Sequence, residues 1–375
     1  MGNRAVVIGG GIGGLAAAIG LRRVGWETVV FERYPVLEDA GAGISLAANG
    51  IRALDTLGAG AAIRAAGQYQ RTVSTRTPAG RWLARMNGAD LERVADTPIV
   101  GIRRAVLHRL LREALPPGAV VLGEEVTPER PGLAEADLVV AADGIRSRFR
   151  ARHFPGHPGP LYSGSSVLRA ITAEPVALPS DFDLTWGPGI EFGHIALSGG
   201  EVEWHVVRSV GADRRHPDPL AELRRLLTGW HEPIAALLSA TRPEDVLHHD
   251  IYELHTPLPG YVSGRVAFLG DAAHAMRPNL GQGACQALED AVELAAAIAE
   301  ESTVESALTR YDARRRARSQ SVARAARQAS RMGQQLRNPV AIAARNLAIS
   351  AAPAGLMARS MLRCTDWTPP ALAEA

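Results

Sequence analysis

The chain has 375 residues, enough for one large or two ordinary domains, and its 46% hydrophobic content supports a sizeable core. The 41 basic and 39 acidic residues leave a formal charge of +2, so no global field draws the protein to nucleic acid or to a membrane surface. Cys285 and Cys364 fit neither a disulfide framework nor a metal-ligand spacing, no apolar run is long enough to span a bilayer, and residues 5–8 are too short for a signal-peptide core. The expectation is a soluble cytoplasmic protein without a metal.

Residues 4–8 read as an apolar strand that runs into a glycine-rich turn and then a helical run at 15–19. Gly9, Gly11 and Gly14 hold the G-x-G-x-x-G spacing: the first allows a tight turn, the second lets backbone approach a pyrophosphate, and the third lets helix pack on strand. The pyrophosphate then sits on the helix N-terminus. A second strand at 28–32 ends in Glu32, at roughly the 20-residue distance at which a carboxylate hydrogen-bonds an adenosine ribose. This order predicts a dinucleotide site; a merely structural turn leaves Glu32 unexplained.

Further along, residues 40–50 read as a glycine-rich loop followed by an amphipathic helix at 51–57, and 72–82 as a hairpin turning at 77–80. A helix begins near Arg103-Arg104 and ends before Pro116. Residues 120–122 and 137–142 are continuous apolar runs suited to strands buried on both faces, the second delivering Asp143-Gly144. Alternating strands at 167–173, 190–197 and 202–210 predict an antiparallel sheet in a separate lobe. Helical pattern at 220–238 precedes a strand at 249–254 returning toward the nucleotide core, and the buried strand 265–269 delivers Gly270-Asp271. Helices at 283–301 and 304–337 follow. The arginines at 310–331 are expected to form a solvated face, not an RNA-binding one, since no aromatics interleave. Pro339 and Pro353 punctuate two shorter helices. If the strands lie in one parallel sheet, the loops at Gly9, Asp143 and Asp271 converge on one edge, where ligands bind.

The run from Gly270 to Gly283, Gly-Asp-Ala-Ala-His-Ala-Met-Arg-Pro-Asn-Leu-Gly-Gln-Gly, resembles the second FAD-binding motif of group A, single-component flavoprotein monooxygenases, the FAD-dependent aromatic hydroxylases. The likeness covers nearly the whole chain. It implies that Asp271 binds the ribityl chain and that Pro278, Gly281, Gln282 and Gly283 place backbone amides at the flavin ring. Asp143 matches the family's Asp-Gly motif, implicated in FAD and NAD(P)H binding, and Arg104 matches an arginine that contacts FAD. Arg33 and Val126 complete the expected cofactor set, and the loop from Gly41 to Gly50 resembles the segment lining the flavin and the substrate entrance. The implied architecture is α/β: a Rossmann-like FAD-binding domain (1–71, 98–160 and 255–335), an inserted antiparallel-sheet substrate domain (72–97 and 161–254) and a C-terminal helical segment (336–375). The chain departs from the family at Leu168-Arg169-Ala170, where Trp-Arg-Gly is usual, at Ala196, where proline is common, and in a short stretch between Leu111 and Asp137.

The resemblance implies hydroxylation of a small aromatic by O2 and NADH or NADPH through a flavin C4a-hydroperoxide, the cofactor carrying the difficult step in a monomer or homodimer. Strand alternation puts Ile190, Phe192, His194 and Ala196 on one face and Val202, Trp204, Val206 and Arg208 on a face of the next strand. Of these, Phe192, His194, Trp204 and Arg208 are the expected substrate contacts. His194 is either a substrate base or a hydrogen-bonded wall residue, and Trp204 either pocket wall or plain core. His274 is expected to shape the flavin loop. The alternatives are another flavin oxidoreductase of the superfamily, or a flavoprotein that holds an aromatic drug-like molecule without turnover. A halogenase fits poorly, because Glu203-Trp204-His205 is the nearest approach to its Trp-x-Trp-x-Ile-Pro signature.

Overall fold

Strands made of Val, Ile and Ala without alternation need cover on both faces, and helices supply it here. The computed structural model describes residues 3–36, 42–87, 96–352 and 363–372. The chain begins with β1 (Arg4–Ile8), α1 (Ile12–Arg23), β2 (Glu27–Glu32), β3 (Gly43–Leu46), α2 (Ala48–Thr56), α3 (Gly60–Ala66), β4 (Gln68–Tyr69), β5 (Thr72–Arg76), β6 (Trp82–Asn87), β7 (Val100–Arg103) and α4 (Arg104–Glu113). There follow β8 (Val120–Leu122), β9 (Leu138–Ala141), α5 (Arg148–His153), β10 (Leu161–Ile171), β11 (Phe182–Gly187), β12 (Ile190–Ala196), β13 (Val202–Arg208), α6 (Pro219–Leu226) and α7 (Ile234–Ser239). The chain continues through β14 (Leu247–Glu253), β15 (Val262–Ser263), β16 (Val266–Phe268), α8 (Asp271–His274), α9 (Gly283–Glu300), α10 (Val304–Met332) and α11 (Pro339–Ala351).

The first sheet has the order β15-β16-β9-β1-β2-β8, with every pairing parallel except β15 on β16. Its buried strands carry the main core together with α1 and α9. Close approach of these two helices depends on glycine: a Cβ on Gly20 would lie 3.0 Å from Ala295 Cβ. Because β1, β9 and β16 run parallel, the loops after them leave the same edge of the sheet.

The second sheet has the order β14-β10-β13-β12-β11-β5-β6 and is antiparallel apart from β5 on β11. A short third sheet, β3-β7-β4, packs its β3 against β12 and β13 of the second. The architecture is thus α/β, with a Rossmann-like parallel sheet, a separate antiparallel sheet and C-terminal helices.

The strand at 249–254 is β14, which pairs with β10, Val167 opposite His249, and forms an edge of the second sheet before the chain leads on to β15 and β16. One detail departs from expectation. The arginines of α10 are not simply a solvated face. Arg315 is fully buried, its Nη1 2.5 Å from Glu289 Oε2 and its Nε 2.7 Å from Asp290 Oδ1. Arg327 pairs with Glu253 at 3.0 Å. Gly41 and the helix expected after Pro353 lie outside the described residues.

Candidate active site

Where β1 ends, Gly9 turns with φ +107°, and a Cβ on it would overlap the Ala142 carbonyl oxygen. A Cβ on Gly14 would in turn overlap the Gly9 carbonyl oxygen, so backbone packs on backbone at both positions. Gly11 differs, since nothing lies within 4 Å of its would-be Cβ. It is the N-cap of α1 and makes no side-chain cap bond, so the helix presents its leading amides and positive dipole end to open space. That is the cradle an anionic diphosphate fits.

Glu32, buried at the end of β2, accepts the Gly10 N–H at 2.8 Å through Oε2 and the Tyr34 N–H at 3.0 Å through Oε1. The carboxylate is thereby fixed beside the turn, with lone pairs left for a ribose hydroxyl. Arg33 is exposed and stacks its guanidinium 4.9 Å from the Tyr34 ring centroid, and Val126 is buried in the main core.

The loop after β9 divides its labour. Ala142 and Gly144 line a cavity, whereas Asp143 turns to cap α5, its Oδ2 accepting the Arg148 N–H at 2.9 Å and the Phe149 N–H at 3.3 Å. Its Oδ1 is buried without a hydrogen-bond partner among the described residues. Burial pushes this carboxyl above the usual aspartate range, against the pull of those amides.

The loop after β16 starts at Gly270, whose φ of +58° again favours glycine. Asp271 opens α8 and lines the cavity. Gly281, at φ +61°, lets the chain turn at Pro278–Leu280 into α9, and Pro278, Gly281, Gln282 and Gly283 all border the cavity. The Gln282 side chain joins a buried network, accepting from Asn49 Nδ2 at 2.9 Å and Gln286 Nε2 at 3.3 Å. Asn49 also donates to Glu289 Oε1 at 2.6 Å. His274 braces this loop through Asp290, Nε2 to Oδ2 at 2.6 Å.

These loops enclose one end of a cavity of about 620 Å³ that also takes in Gly11, Gly14 and Arg104. Its lining joins an anion cradle, an acidic side chain at Asp271 and a glycine-bordered slot, a donor set that suits FAD, and Gly9, Glu32, Arg33, Val126 and Asp143 are not part of it. The far wall is the second sheet. Val167 and Arg169 of β10, Leu184 of β11, Glu191 and Ile195 of β12, and Glu203, His205 and Val207 of β13 face the cavity.

The expected substrate contacts lie on the other side of that sheet. Phe192 and Trp204 stack at 6.0 Å in a cluster with Leu220 and Leu223 of α6 and Leu237 and Leu238 of α7. The Trp204 indole N–H donates to Thr241 Oγ1 at 2.7 Å. Arg208 pairs with Glu222 at 2.9 Å. His194 is enclosed with Nε2 2.9 Å from the Ser180 carbonyl oxygen, and burial pushes its imidazole below the ordinary range. None of the four lines the cavity.

The reason is parity: in β12 and β13 both faces are covered, one by α6 and α7 and one by the cavity, so alternation groups residues correctly without saying which group faces which cover. The residues passed over are Glu191, Glu203 and His205. Their signal was the run of ionisable groups at alternate positions on two paired strands, in register Glu191 with Val207 and Gly193 with His205.

The FAD binding domain family profile matches residues 3–326. Aurachin C monooxygenase/isomerase from Stigmatella aurantiaca is 37% identical over 324 residues, covering 82% of this chain and 84% of that protein. The 3-amino-4-hydroxybenzoate 2-monooxygenase of Streptomyces cremeus is 35% identical over 344 residues, 86% of each chain. Among solved structures, Klebsiella pneumoniae HpxO complexed with FAD and uric acid superposes with a TM-score of 0.88 at 26% identity, covering 97% of this chain and 96% of that one. Matched by the family model across most of its length, this chain belongs to the FAD binding domain family.

Proposed function

We propose that the protein is an FAD-dependent monooxygenase that uses NADH or NADPH and O2 to hydroxylate a small aromatic or heteroaromatic molecule in the cytoplasm. The observation that carries this reading is the continuity of one cavity from the Gly11 and Gly14 turn, past Asp271 and the loop at 278–283, to the wall of the second sheet. A cofactor and a substrate share one space there. Kinship with two monooxygenases above 30% identity supports the same reading. Both cysteines are free thiols, as a reducing cytoplasm keeps them, and no described helix is long and apolar enough to cross a membrane.

Bound FAD supplies the redox and oxygen-activating chemistry. The chain holds it: the α1 N-terminus takes the pyrophosphate, Glu32 the ribose, Asp271 the ribityl hydroxyls, and the main chain at Gly281, Gln282 and Gly283 the flavin ring. Ile44, Phe182, Leu184, Ile195 and Val207 provide an apolar wall that seats an aromatic ring and limits water. The sequence has a single G-x-G-x-x-G fingerprint, already used for FAD, so NAD(P)H docks transiently near residues 143–147.

The test is a panel of aromatics screened for stimulated NAD(P)H oxidation, with products weighed by mass spectrometry. A product heavier by one oxygen, formed only aerobically, is expected. Tight aromatic binding without an oxygenated product points instead to a binding protein.

A further inference from the structure

We propose that His205, held by Glu203, accepts the proton from an aromatic O–H or ring N–H of the substrate, which makes an ionisable donor part of what the cavity selects. This deepens the hydroxylase reading and rests on it.

The geometry is specific. His205 on β13 sits across from Gly193 on β12 and from Arg169 on β10, and both His205 and Arg169 face the cavity. A Cβ on Gly193 would overlap Nε2 of the imidazole and fall 2.5 Å from Cε1, so the ring lies over bare backbone that no other residue type could provide. Nδ1 is 3.3 Å from Glu203 Oε2. Glu203 is 5% exposed and is itself admitted by a glycine, since a Cβ on Gly43 would stand 2.6 Å from Glu203 Cβ. Two glycines therefore make room for one carboxylate–imidazole pair. With Nδ1–H donated to Glu203, Nε2 is the acceptor, and the 24% of the side chain left open gives onto the cavity.

The surroundings favour the proton's arrival. Glu191, from β12, flanks the site with its Oε2 accepting the Trp186 indole N–H at 2.6 Å. Burial disfavours the imidazolium, but Glu203 and then Glu191 outweigh it, and Arg169 only partly offsets them. His194, on the reverse face of β12, is a further titratable neighbour. The result holds His205 above the ordinary imidazole range. One proton leaves the substrate heteroatom for Nε2, its electron pair stays on the ring system, and the imidazolium formed is paired with Glu203. A group with a raised value is proton-free only at higher pH, so turnover of such substrates climbs with pH through a window above the ordinary imidazole range.

The test uses the FAD-loaded enzyme with phenols and N–H heteroaromatics set against their O-methyl and N-methyl counterparts. Hydroxylation of the free donors alone is expected. In His205→Gln, kcat/KM for them drops by about 10²- to 10⁴-fold and the alkaline rise disappears. In Glu203→Gln, a positioning variant, the rise moves to lower pH. FAD absorbance of each variant separates these effects from loss of fold. Equal hydroxylation of free and methylated compounds, or an unchanged pH profile in His205→Gln, overturns the base and leaves the hydroxylase reading standing. If wild type hydroxylates neither class, the hydroxylase reading fails and this assignment fails with it.

Discussion

Asp290 and His274 meet in the interior at 2.6 Å, Oδ2 to Nε2, and the same carboxylate oxygen accepts the Gly270 N–H at 2.9 Å. Arg315 Nε donates to the other oxygen at 2.7 Å. One carboxylate thus ties the turn that presents Asp271 to α10. Asp290→Asn is expected to cost about 3–5 kcal/mol by breaking a buried charge network, and to lower FAD occupancy. Burial alone would raise this carboxyl, but His274 and Arg315 hold it down to about 2 against an ordinary 3.8. A lowered folded-state value means the stabilisation is present above 3.8 and drains away as pH falls toward about 2. Denaturant unfolding between pH 6 and 2 checks both parts: wild type should lose this contribution on acidification, and the variant should lack that part of the slope.

The glycine turn allows a controlled comparison. Gly9→Ala forces a positive φ on alanine and also drives a methyl into the Ala142 carbonyl, whereas Gly144→Ala, at φ +79°, meets nothing within 4 Å. Backbone strain alone costs about 1–2 kcal/mol. Gly144→Ala should fall within that range, and Gly9→Ala should exceed it and lose FAD. Comparable thermal midpoints for the two variants would contradict the close approach of β1 and β9.

Asp271→Ala should lose FAD far more than Glu203→Ala, because Asp271 borders the cavity between the diphosphate cradle and the flavin loop while Glu203 stands on the second sheet. Flavin absorbance after desalting at equal protein concentration measures it. Equal retention would show that Asp271 does not hold the ribityl chain.

Trp204→Phe tests which face of the second sheet is core. Removing the indole N–H strips Thr241 Oγ1 of its donor and thins a packed cluster, for a loss of about 1–3 kcal/mol. The KM for any substrate found should stay within twofold of wild type. A large KM change at undiminished stability would put Trp204 in the pocket.

Much of this protein was legible from residue order alone. The Gly9, Gly11 and Gly14 spacing followed by Glu32 encodes a local structure, strand to turn to helix to strand, and local structure is what short-range sequence determines. Gly270 to Gly283 is likewise one continuous stretch of chain, in which Gly270 and Gly281 take the positive φ that favours glycine. The parallel order of β1, β9 and β16 then brought Gly11, Gly144 and Asp271 to one cavity. Which face of the second sheet borders the cavity was decided elsewhere. Alternation in β12 and β13 sorts residues into two sets, but α6 and α7, which follow β13 in the chain, fold back over the set with Phe192 and Trp204, and the cavity claims Glu191, Glu203 and His205. Strand period is a property of the backbone; which face is wet and which is packed depends on what the rest of the chain lays against it.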